Sequence, residues 1–311
     1  MKNFKNILIK VNQQSNPEVD IAVLQGIELA KQSGAKVILF DVVEPLGNIL
    51  SRYTNMLSSK ELTENIAGQR LEQLTKVAQA LQSKDVEISA QVSIGKNFIE
   101  IVKAVIVNNN DLLIKVSNPS EQNFDSNDFH IMRKCPRPVW LIRATPTNKV
   151  KRILAAVDLS MEQYPQGRAQ NRMIMDIATS LSQFKNAKMT VFSCWQLYGE
   201  RALRSGLYTK ISSEELEGLM KNEEHEYKKI LDVLVNEYKG LSIDQHLIKG
   251  QPKTLIPEYV NRNGIDIVVM GTIGRSGIPG LLIGNTSETV LQAINSSVMT
   301  LKPDDFLSPI R

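Results

Sequence analysis

Cysteine is nearly absent from this chain of 311 residues: there are two, Cys135 and Cys194, one in each half. They form no CxxC pair and no disulfide framework, which sets the expectation of a reducing compartment, the cytoplasm. Histidine is as scarce, at three residues, and aromatic side chains make up 5% of the chain. With 37 basic against 33 acidic residues the net charge is only +4, and no Lys/Arg stripe is interleaved with exposed aromatics, so nucleic acid is not implied as a partner. No hydrophobic run approaches the roughly eighteen residues of a membrane span, and no membrane partner is expected. The opening Met1–Asn6 leads straight into Ile7–Val11, a strand too short and too soon interrupted by charge for a signal sequence. The GxxxxGK[ST] loop, the GxSxG elbow and a first-strand GxGxxG are all missing, which removes the usual machinery of fast nucleotide hydrolases, serine hydrolases and dehydrogenases.

What the chain does contain is a glycine series near its end. The apolar run Ile265-Asp266-Ile267-Val268-Val269-Met270 leads into Gly271-x2-Gly274-x9-Gly284-Asn285-Thr286, with Gly277 and Gly280 in between. Glycine lets backbone approach a phosphate closely, and a helix opening at Asn285 aims free N–H groups and a positive dipole end at it. The plainer alternative is a strand, a loop and a helix capped by Asn285 with Glu288 three positions on. That alternative explains the helix start but not the glycines spent before it.

The second half restates the first. Ile7–Asn12 matches Ile153–Asp158, Ala35–Phe40 matches Ala187–Phe192, Asp111–Val116 matches Asp266–Gly271, and Pro138–Arg143 matches Ser297–Lys302. The offset drifts from 146 (Ile7 to Ile153) through 152 (Ala35 to Ala187) and 155 (Asp111 to Asp266) to 159 (Pro138 to Ser297), as small loop insertions would produce. A period of this length is that of a duplicated domain, with boundaries expected at 1–146 and 147–311 and Arg143–Val150 as the linker. In each copy, short β-branched runs alternate with helical patterns, at Val19–Ser33, Ser59–Gln82 and Asn97–Asn108, then at Gln170–Phe184, Ser213–Tyr238 and Thr254–Asn263. Near-continuous apolar strands are those buried on both faces of a parallel sheet, so the expectation is α/β, two tandem doubly wound open sheets of Rossmann-like type. Ligands of such sheets bind beyond the carboxyl ends of the strands, where strand order reverses.

Together these features resemble the universal stress protein family, over nearly the whole chain. Arg133-Lys134-Cys135-Pro136-x-Pro138-Val139-Trp140 and Gly284-Asn285-Thr286 resemble its tandem subtype designated E. The resemblance implies an adenine nucleotide alpha hydrolase-like fold and an ATP site, with Mg²⁺ allowed, in the second copy. By that resemblance Val157 and Asp158 at the end of the first strand meet the adenosine, Cys194 touches the base, and Met270 and Gly271 flank the sugar. Gly274, Arg275, Gly284, Asn285 and Thr286 line the phosphates. A carboxylate accepts from ribose hydroxyls and a guanidinium forks onto phosphate oxygens, so these residue types suit those roles. Asn285 departs from the Ser or Thr of many nucleotide-binding members, and Thr286 restores a hydroxyl one position later. The first copy departs further, with Asn12 in place of the acid and no glycine from Ser120 to Phe129, so it is expected not to bind ATP in the family's manner. The family also implies that the last strands, Val139–Arg143 and Val298–Lys302, join the two copies as an internal pseudo-dimer, and it leaves a homodimer open.

Other chemistry is thin. His225, in Glu223–Lys229, has Lys229 where a zinc-binding helix needs a second His. His130 with Cys135, and His246, lack the converging ligands that zinc requires, and no metal site is expected. Cys194 has no neighbouring cation in sequence to favour a thiolate, and packing is the better reading. The stretches Arg52–Met56 and Tyr198–Ile211 follow the second strand of each copy, the latter a lid or, more simply, a helical excursion over the sheet edge. The function expected is therefore a cytoplasmic stress-response protein that binds ATP in a regulatory role, with no catalytic residues. The alternatives are a slow metal-dependent ATP hydrolase and a scaffold that holds an apolar ligand in the first copy.

Overall fold

The computed structural model describes residues 4–12, 20–45, 58–117, 124–143, 149–205, 211–272 and 284–310. The first half runs β1 (Asn6–Lys10), α1 (Ile21–Ser33), β2 (Lys36–Val43), α2 (Ser59–Leu81), β3 (Ile88–Ile94), α3 (Asn97–Val107), β4 (Leu112–Val116), α4 (Ser126–Lys134) and β5 (Val139–Ile142). The second runs β6 (Arg152–Ala156), α5 (Pro165–Lys185), β7 (Lys188–Trp195), α6 (Glu200–Ser205), α7 (Ser213–Asn236), β8 (Ile243–Lys249), α8 (Pro252–Asn263), β9 (Ile267–Gly271), α9 (Asn285–Ala293) and β10 (Ser297–Leu301).

Two compact units result. One is built on Lys2–Lys149 and takes in Thr272, Gly284 and Ser297–Arg311; the other is built on Val150–Gly271 and Asn285–Ser296. In the first, the strand order is β3-β2-β1-β4-β5 with β10 beyond β5. Its strands β1 to β5 are parallel neighbours, whereas β10 pairs antiparallel with β5 through Val298↔Leu141, Met299↔Trp140 and Thr300↔Val139. In the second unit the order is β9-β6-β7-β8, all parallel. This is the doubly wound α/β architecture expected, and strand order reverses at β1/β4 and at β6/β9.

Burial follows the strand sequences. Ile7, Leu8, Ile9, Leu112, Leu113 and Ile114 have no exposed surface, and neither do Ile153, Leu154, Val268 and Val269. These central strands are covered on both faces, which is why they read as unbroken apolar runs. The edge strands β3 and β8 stay half-exposed and carry polar residues.

Helix starts follow local chemistry. Ser58 and Glu61 form a reciprocal capping box for α2, Ser212 and Glu215 do so for α7, and Asp125 and Asp128 for α4. Asp20 caps α1 by accepting from Ala22 N at 2.8 Å. Helix α5 opens five residues before the expected Gln170, because Pro165 sits in its first turn, where no N–H is needed. For the same reason α8 opens at Pro252, ahead of Thr254. Helix α4 lies in a stretch with no expected helix, and α6 occupies part of Tyr198–Ile211.

Candidate functional site

In the second unit β6 ends at Ala156, and Val157 N continues the ladder to Phe192 O at 3.1 Å. Val157 is buried, while Asp158 emerges as an exposed carboxylate at the carboxyl end of the sheet. Its backbone is clamped by the buried Asn171 of α5: Asp158 N donates to Asn171 Oδ1 at 3.0 Å and Asn171 Nδ2 donates back to Asp158 O at 2.9 Å. Asn171 Nδ2 also reaches Glu162 Oε1 at 2.7 Å, which fixes the short 3₁₀ turn Leu159–Met161. Asp158 Oδ1 accepts from Ser160 N at 3.1 Å and from the Ser160 hydroxyl. The aspartate is thus held from three sides, and neither Asn171 nor Ser160 was marked by the sequence. A buried Asn on an otherwise apolar helix face was the only signal available for Asn171.

Gly167 explains how α5 comes so close. A Cβ there would lie 2.3 Å from Met161 O, so only glycine lets the helix rest on the turn that carries Asp158.

Cys194 sits on β7, half-buried near Asp158. Burial, with the aspartate charge adding to it, pushes its thiol up to about 12. It is a neutral contact surface, and no thiolate chemistry is available to it at physiological pH. Cys135 is wholly buried, with its thiol pushed up to about 11 by burial.

Across the switch point, Ala156 is the register partner of Met270, which is buried. Gly271 closes β9. A Cβ on it would lie 2.1 Å from Gln170 Nε2, so the glycine makes room for a side chain of α5. Its carbonyl accepts from Ser287 Oγ at 3.0 Å, which ties the first turn of α9 to the strand end. Helix α9 begins at Asn285 itself, so the expected cap position falls on Gly284, and Asn285 and Thr286 are exposed in the opening turn. Gly284 N donates to Thr272 O at 2.8 Å. Gly274 and Arg275, with Gly277 and Gly280, lie outside the described residues.

The strand ends of the first unit are built differently. Lys10 and Lys115 stand there, ion-paired with Asp41 and Asp128, and the Asn12 carbonyl accepts from Arg70 at 3.0 Å. Elsewhere, His225 is exposed on α7, His130 stacks on Phe98 with ring centroids 4.4 Å apart, and His246 packs on Tyr259. Among the described residues no group of three or more His, Cys, Asp or Glu converges to hold a metal, and no helix is long and apolar enough to cross a membrane.

The sequence pattern of the universal stress protein family matches residues 3–143 and again 149–302. The chain is 24% identical to universal stress protein E of Salmonella typhi, over all of this chain and 98% of that one. It is also 24% identical to the universal stress protein E homolog of Haemophilus influenzae, over 96% of this chain and 98% of the relative. A protein of unknown function from Pseudomonas aeruginosa PAO1 shares the fold with a TM-score of 0.72 and 22% identity, over 97% of this chain and 94% of that one. A putative universal stress protein from Pseudomonas aeruginosa UCBPP-PA14 does so with a TM-score of 0.70 and 21% identity, over the same shares.

Proposed function

The chain belongs to the universal stress protein family, with two such domains in tandem, and we propose that it is a cytoplasmic stress-response protein whose second domain, 147–311, binds ATP in a regulatory role. The observation that carries this reading is the fixed, solvent-facing Asp158 at the carboxyl end of β6, beside a β9 that ends in glycine and is pinned to the start of α9. A carboxylate held in that position suits the hydroxyls of a ribose. The exposed N-terminal turn at Asn285 and Thr286 suits phosphate oxygens, since its amides point outward with the positive end of the helix dipole. The neutral thiol of Cys194 and the buried Met270 give an apolar flank fit for a base and a sugar. Arg275 and Gly274 complete the phosphate set in this reading, and Mg²⁺ would travel with the nucleotide. Binding and release, not turnover, is the expected output in this reading.

The first domain, 1–146, takes no ATP in this proposal, because ion-paired lysines stand where the second domain has Ala156 and Met270. The two domains act as an internal pair. Mass spectrometry of ligands released from the untreated purified protein tests the reading. One equivalent of adenine nucleotide supports it; no nucleotide, together with no melting shift on adding ATP and Mg²⁺, refutes it.

A further inference from the structure

The amino ends of β1, β2 and β3 meet the turn after α3 around a cavity of about 120 Å³, lined by Asn6, Lys36, Ile38, Ser89, Asn108 and Asn110. It lies in the first domain, at the opposite edge of the sheet from the strand ends that carry Lys10 and Lys115. Asn6 pairs in register with Lys36, and Ile38 with Ser89, so these four side chains leave the sheet on one face. Asn108 Nδ2 donates to Gln91 Oε1 at 2.8 Å, which holds the turn against β3. At the mouth Lys36 Nζ and Glu87 Oε2 pair at 2.8 Å, both of them exposed.

Asn110 has no exposed surface, yet neither its Oδ1 nor its Nδ2 has a hydrogen-bond partner among the described residues. A buried amide left unpaired is costly, so its presence calls for a reason. The backbone does not supply one. Asn110 N donates to Val105 O at 2.9 Å, and at the matching place in the second copy Ile265 N donates to Val260 O at 3.1 Å. The next residue matches as well: Asp111 accepts from Lys5 N and Asn6 N, as Asp266 does from Lys151 N and Arg152 N. The two turns share one plan, and the second copy fills the position with the buried, apolar Ile265. An apolar side chain therefore suits this backbone, and the amide of Asn110 serves something other than folding.

We propose that this cavity binds a small neutral molecule carrying a carboxamide or urea group. Asn110 offers an acceptor oxygen and a pair of N–H donors, and an amide edge is a neutral group that answers both at once. A charged ligand would give up its hydration without gaining a counter-charge, because Lys36 and Glu87 hold each other. Taking a water's share of the liquid as about 30 Å³, the volume admits a molecule of about four to six heavy atoms. A nucleobase is too large for it. The site uses no residue of the nucleotide reading and stands or falls without it.

NMR titration of the isotope-labelled full chain with acetamide, read at the backbone amides of Val37 and Asn108 beside the cavity, tests the proposal. Saturable shifts are expected, with affinity lower by about tenfold or more for acetate, which has the same shape but no N–H donor. Asn110→Leu, which restores an apolar side chain as at Ile265, should fold and lose about tenfold or more in affinity for acetamide. The acetate comparison uses wild type alone, so it decides the matter even if that variant unfolds. An absence of saturation, the sign of ordered water only, overturns the proposal. Equal affinity for acetate, or undiminished affinity in Asn110→Leu, overturns it too.

Discussion

Ser287 Oγ donates to the carbonyl of Gly271 at 3.0 Å, so the helix that opens the proposed phosphate site is fastened to the strand that closes before it. Ser287→Ala frees the first turn of α9 from β9. A single neutral hydrogen bond is worth about 1 kcal/mol, so the fold should persist. The melting shift produced by ATP should shrink by more than half, measured against wild type at equal nucleotide concentration. An unchanged shift would show that α9 needs no fastening.

Gly271 and Gln170 compete for one space. A Cβ at Gly271 would lie 2.1 Å from Gln170 Nε2 and 2.9 Å from its Cδ, so Gly271→Ala displaces that side chain. We expect a loss of about 1 kcal/mol from this overpacking and recovery of most of it in Gly271→Ala with Gln170→Ala. Urea unfolding of the two single variants and the double variant gives the coupling; simple additivity would contradict the contact.

Asp41 is the shared partner of Lys10 and Arg70, at 2.7 and 2.6 Å, and has no exposed surface. Asp41→Asn leaves two buried cations facing a neutral amide, and breaking buried pairs in this way costs about 3–5 kcal/mol. Denaturant midpoints report it, and a loss below about 1 kcal/mol would mean that the cluster is solvated.

Lys302 gives the pH dependence its sign. It is buried, donates to Met132 O at 2.7 Å and Thr272 Oγ1 at 2.6 Å, and burial pushes its ammonium down to about 8 from an ordinary 10.5. Between those values the unfolded chain holds a proton that the folded chain has released, so stability rises with pH through this window. The rise is about 3 kcal/mol if this group acts alone. Stability curves between pH 8 and 9, below the range where the two raised thiols begin to oppose it, should show the onset of the rise in wild type, and Lys302→Met should flatten it. A slope that survives in that variant assigns the titration elsewhere.

Much of this was legible in the sequence. The duplicated strand runs at Ile7, Ala35, Asp111 and Pro138, and their counterparts from Ile153 on, gave the parallel sheets because central strands are apolar without alternation. Asp158 was legible through its place at the end of the first strand of the second copy. The Asn171 clamp was not, because a hydrogen bond between a strand end and a helix leaves no periodic trace. Helix α4 was missed because its apolar face is short, although its capping box Asp125–Asp128 was there to read. The cluster at Lys10 was hidden for another reason: its partners lie 31 residues away at Asp41 and, from Asp41, 29 further on at Arg70, and a lone charge at a strand end looks solvated until those partners are seen.

The central claim is that one domain of the two holds ATP, at the edge marked by Asp158. Titration of the full chain with ATP and Mg²⁺ by calorimetry tests it most directly. One nucleotide per chain, with binding lost in Asp158→Ala and retained in Lys115→Gln, is the result predicted; two per chain, or binding indifferent to Asp158, would contradict it.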